Sequence, residues 1–74
     1  MGQQLIQEVE YGRLDNGQFI RYSFDTYTVS TANRKRITDR EQGRSHATGD
    51  GWLEFPAHPA TPELSEYVTR IRWF

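Results

Sequence analysis

The segment Leu14-Asp15-Asn16-Gly17-Gln18 constrains this chain more than any other, because Asn-Gly stands between two runs rich in β-formers. Asn-Gly supplies the two positive φ angles of a type I′ turn, whose twist matches that of the strands it joins. The predicted hairpin has arms at 4–14 and 18–29. With Asn16 and Gly17 as loop residues, facing positions sum to 33, which sets Leu14 against Phe19, Tyr11 against Tyr22 and Val9 against Phe24. An unbroken ladder would also set Glu8 opposite Asp25, a like-charge pair. In the second arm Ile20, Tyr22 and Phe24 alternate on one face and Tyr27 and Val29 on the other, so a bulge is expected near Asp25.

The 74 residues suffice for one domain, 1–74, with a thin core. Ten aromatics carry much of the burial available to a chain that is only 35% hydrophobic. Cysteine is absent, which excludes disulfides and thiolate metal sites and points to a cytoplasmic setting. Apolar runs do not exceed two residues, so no membrane span or secretory core is expected.

From Ser30 to Gly51 the only large apolar residue is Ile37, and the stretch at about 31–51 reads as a long, polar, Arg-rich loop. A short strand near 35–40 is the alternative. Gly51 to Pro56 reads as a third strand closed by proline. Thr61-Pro62-Glu63 is a helix start, with threonine as N-cap and proline at the first helical position. Beyond it, Leu64, Tyr67, Val68 and Ile71 are spaced for one amphipathic helix, but Val, Thr, Ile, Trp and Phe favour a terminal strand over 68–74 after a helix ending near Tyr67. The expected fold class is therefore α+β: a small antiparallel sheet, made of the N-terminal hairpin and one or two further strands, with one short C-terminal helix.

Catalytic patterns are weak. His46 and His58 lack metal-ligand spacing, and no cofactor or metal is expected. Ser45, His46 and Asp50 hold the letters of a hydrolytic triad, but neighbours in one loop lack separately anchored geometry. Glu8 and Glu10 read as a solvated strand face, and Gly49-Asp50-Gly51 as a turn. The chain is not expected to be an enzyme.

Charge is uneven. Between Asn33 and His46, five basic residues face two acidic ones, a local +3, while the remaining four basic and eight acidic residues give −4. Eight of the nine cations are arginine, suited to bidentate and stacking contacts. The expected partner-binding residues are Arg34, Lys35, Arg36, Arg40 and Arg44, with Arg70, Arg72 and Trp73 at the C-terminus. The expected function is a small binding module that docks on and modulates a larger macromolecule, in the manner of an inhibitor or regulator. Its partner is expected to be a protein, met through an acidic surface or an exposed sheet edge. Small phage and mobile-element proteins are often of this kind. Nucleic-acid binding through the Arg-rich segment is the alternative, with Tyr22, Phe24, Tyr27 and Arg21 as a stacking platform; the overall negative charge weighs against it.

Overall fold

A computed structural model describes residues 3–74. The elements in chain order are β1 (Gln4–Asp15), β2 (Gln18–Ser30), α1 (Thr31–Arg40), β3 (His46–Ala47), β4 (Leu53–Pro56), a single 3-10 turn (Pro62–Leu64) and β5 (Tyr67–Trp73). The strands form one open antiparallel sheet in the order β2-β1-β5-β4-β3. At about 3.4 Å per residue a 12-residue arm runs roughly 40 Å, which accounts for the 43 × 21 × 20 Å shape.

The turn lies where the Asn-Gly pair predicts, with Asn16 at φ 51° and Gly17 at φ 80°. Next to it the facing positions sum to 33, as in Leu14 opposite Phe19. Between Tyr11 and Gly12 the register shifts, and from there to Gln4 the sum is 34. The bulge is therefore at Tyr22, not near Asp25. Its cause is a close approach: a Cβ on Gly12 would lie 2.2 Å from the Ile20 carbonyl oxygen and 2.7 Å from Phe19 Cζ. Only glycine lets β2 come this near, and the Phe19 ring covers the gap. The shift re-pairs every position beyond it. Tyr11 faces Ser23, Val9 faces Asp25, and Glu8 faces Thr26, which removes the Glu8–Asp25 clash.

The α+β expectation with a C-terminal helix is overturned. Among the described residues the fold is mostly antiparallel sheet with five strands, and the one α-helix is α1, in the segment expected to be a loop. This helix is polar apart from Ala32 and a half-buried Ile37, and it has no buried residue. Local interactions build it: Ser30 Oγ accepts from Asn33 N–H at 3.1 Å as N-cap, Lys35 pairs with Asp39 at 2.8 Å, and Arg40 sits in the last turn. At the other site, the Thr61-Pro62-Glu63 start nucleates one turn, closed by Leu64 N–H to Thr61 O at 2.9 Å. Tyr67 to Trp73 then enter the sheet, because pairing with β1 on one side and β4 on the other satisfies more backbone groups than an isolated helix.

Among the described residues the buried apolar side chains are Trp52, Val68 and Ile71, each contributing about 1.5–3 kcal/mol by burial. The sheet order puts β2 and β3 at opposite edges, so α1 and the turn after it carry the chain across the sheet's width.

Candidate partner-binding surface

Register assigns each strand residue to a face. Among the described residues, one face carries a row of paired ionisable side chains that crosses all five strands. Arg21 on β2 lies 3.7 Å from Glu10 on β1, Glu10 lies 3.8 Å from Arg70 on β5, Arg70 Nε donates to Glu54 on β4 at 2.7 Å, and Glu54 lies 3.3 Å from His46 on β3. A second rung joins Arg72 to Glu8 at 2.7 Å. The guanidiniums also lie over rings: Arg70 over Phe19 at 4.2 Å, Arg72 over Trp52 at 4.1 Å, and Arg21 over Phe24 at 4.9 Å. Long side chains thus cover the sheet where no second layer does. Glu10 and Glu54 are buried; Arg70 hydrogen-bonds to Glu54, and Arg21 and Arg70 both lie within ion-pair distance of Glu10.

The opposite face carries Tyr11, Tyr22 and Tyr67, whose ring centroids lie 5.9–6.4 Å apart, with His58 edge-on to Tyr67. Arg13 Nε donates to the Tyr22 hydroxyl at 3.1 Å, and that hydrogen bond raises the Arg13 pKa.

The eight residues singled out by charge fall into two groups. In α1 and its turn, Lys35 holds Asp39, which raises the lysine pKa, and Arg36 donates to Asn33 Oδ1 at 3.3 Å. Arg40 and Arg44 flank the buried Glu41 carboxylate, Arg40 at 3.1 Å. In β5, Arg70 and Arg72 belong to the charge rows, and Trp73 Nε1 donates to Gln7 at 2.9 Å. One contact joins the groups, Arg34 over the Trp73 ring at 5.3 Å. Most of these cations are thus engaged within the chain. The supposed stacking platform is divided by the bulge: Tyr22 and Tyr27 share the tyrosine face, while Phe24 and Arg21 lie on the charged one.

Among the described residues no hydrogen bond joins Ser45, His46 and Asp50. Thr48 Oγ1 hydrogen-bonds to Asp50, which lowers the Asp50 pKa, while His46 pairs with Glu54. Ser65 lines the same open hollow of about 250 Å³ as His46 and Glu54, but among the described residues no hydrogen bond joins Ser65 to His46. No three His, Asp or Glu side chains converge as a metal site among the described residues. None of the described helices is long and apolar enough to cross a membrane.

The exposed sheet edge expected from the sequence is β2. β2 has a neighbour on one side only, and Ile20, Tyr22, Phe24 and Tyr27 are exposed along it. Which of its backbone groups are free follows from the antiparallel pattern. Ile6 exchanges both hydrogen bonds with Phe74, at 3.2 and 2.9 Å, so it makes none with Thr28 opposite. The N–H and C=O of Thr28 therefore point outward, as do those of Thr26 and Phe24 by alternation. Thr31 N–H donates inward to Gln3 O at 3.1 Å, in keeping with odd positions facing β1. Three consecutive outward-facing residues, none of them covered, form a template for a further strand. Comparison with protein-family models, curated proteins and solved structures yields no match to this chain.

Proposed function

We propose that this protein is a non-enzymatic binding module that docks on a larger protein by accepting an extended segment along β2, as an inhibitor or regulator does. The observation that carries this reading is the outward backbone of Phe24, Thr26 and Thr28 on an edge with no strand beyond it. Backbone pairing supplies affinity, and side chains on alternate sides supply specificity. Exposed Tyr22 and Tyr27 on one face and Phe24 on the other offer apolar contact beside that backbone. The charge-row arginines favour a protein over nucleic acid, since Arg21, Arg70 and Arg72 are each matched by a carboxylate and offer little net field to phosphates.

A photo-cross-linking residue at Thr26, compared with one at Arg36, tests this in native-cell extract. Cross-links to a protein from position 26, lost when Thr28→Pro is added, support the edge. Cross-links confined to position 36, or binding to nucleic acid that falls steeply with salt, would overturn it.

A further inference from the structure

The outward groups of β2 are symmetric about one residue. Phe24 and Thr28 each lie two positions from Thr26, and all three offer N–H and C=O to the same side. We propose that β2 pairs with β2 of a second copy about a two-fold axis at Thr26, joining two five-stranded sheets into one. The proposal rests on the reading of β2 as an acceptor edge and adds a second occupant, a copy of the same strand that competes with the larger protein for the same backbone.

Facing positions across the axis then sum to 52. Thr26 meets Thr26, Phe24 meets Thr28, and every outward N–H and C=O of the three residues is bonded. The neighbouring registers fail for separate reasons. A sum of 50 sets Asp25 directly opposite Asp25, a like-charge pair. A sum of 54 sets Phe24 opposite Ser30, where the strand ends and Ser30 caps α1. At 52, Asp25 lies opposite Tyr27 on the tyrosine face and the two carboxylates are only diagonal neighbours. Thr26 against Thr26 and Phe24 against Thr28 fill the charged face.

The edge also lacks what usually blocks such pairing. From Gln18 to Ser30 there is no proline and no lysine. The bulge at Tyr22 lies outside the segment Ser23–Val29 that pairs, so its extra twist falls beyond the contact. With few bonded pairs the interface is at the small end of the protein–protein range, and the dimer should be reversible.

Sedimentation of the intact chain from low micromolar to millimolar concentration reads the equilibrium. The expected result is a concentration-dependent monomer–dimer equilibrium that Thr26→Pro abolishes and Asp25→Asn strengthens severalfold. Thr26→Lys, which sets two ammonium groups across the axis, should abolish it as well and serves if the proline variant does not fold. A chain that stays monomeric to millimolar concentration, or a dimer that persists in both Thr26 variants, overturns the self-pairing. In either case the acceptor-edge reading stands or falls separately, by whether position 26 cross-links to a foreign protein.

Discussion

The two arms of the hairpin have opposite fates for their compositions. β1 carries Glu8, Glu10, Arg13 and Asp15, yet Glu10 is 7% exposed and Gly12 is buried. β2 carries Phe19, Ile20, Tyr22, Phe24, Tyr27 and Val29, yet Tyr22 is 51% exposed and Tyr27 50%. The difference is sheet position: β1 lies between β2 and β5, whereas β2 has one neighbour. Burial here follows the number of flanking strands rather than the hydrophobicity of the strand itself. A buried glutamate is tolerated because registered arginines reach it, and an exposed tyrosine because nothing covers that edge.

The largest test of this contrast is Gly12→Val. The added Cβ meets the Ile20 carbonyl, a backbone atom that cannot swing aside, so a loss of about 3 kcal/mol or more, or a register change, is expected in denaturant unfolding. Arg70→Ala comes next. It leaves Glu10 and Glu54 without their shared cation at a partly buried site, for a loss of about 2–3 kcal/mol. Neutralising both carboxylates in the same chain, with Glu10→Gln and Glu54→Gln, should restore much of that; no recovery would mean that Arg70 acts by packing on Phe19.

On β2 the expected effects are smaller. Phe24→Ser should cost less than about 1 kcal/mol, and a larger loss would show that β2 is covered in the free protein. Changing Arg34, Arg36 and Arg40 together to Ser should lower stability by about 1 kcal/mol through helix propensity and the Trp73 contact. The smallest effect is one of pH. The Thr48 hydroxyl holds the Asp50 carboxyl below its usual range, so Asp50 should titrate by NMR at lower pH than an ordinary aspartate. Its folded pKa is depressed, so its contribution is present above the unfolded pKa and is lost as pH falls through the folded one. Thr48→Ala should move the titration up toward the ordinary range, with the backbone N–H groups of Asp50 and Trp52 and the Arg70 charge still acting to lower it.

Local signals made part of this molecule legible. Asn16-Gly17 located the turn, and Gly51 to Pro56 and the β-branched run after Tyr67 located two further strands, because each depends on neighbours in sequence. Hydrophobic parity does not locate the bulge, because Gly12 lies against Ile20 only once the strands have paired. Apolar content alone does not predict helix α1, whose stability comes from the Ser30 cap and the Lys35–Asp39 pair. Local charge does not predict the engagement of Arg72, because its partner Glu8 is 64 positions away and meets it only through the β1–β5 register.

That β1–β5 register also bears on the order in which the chain folds. The arms of the hairpin are joined by two residues and can meet within about 1–10 μs, whereas β5 reaches β1 only by closing nearly the whole chain on itself. The first and last strands are thus sequence-distant neighbours, and their meeting sets the rate. Loosening the Asn16-Gly17 turn should slow folding, and so should breaking the Glu8–Arg72 contact, which joins the two strands whose meeting is slow. Until the C-terminus docks, β1 is itself an edge strand, so a nascent or truncated chain offers both sides of its hairpin to whatever strand it meets first.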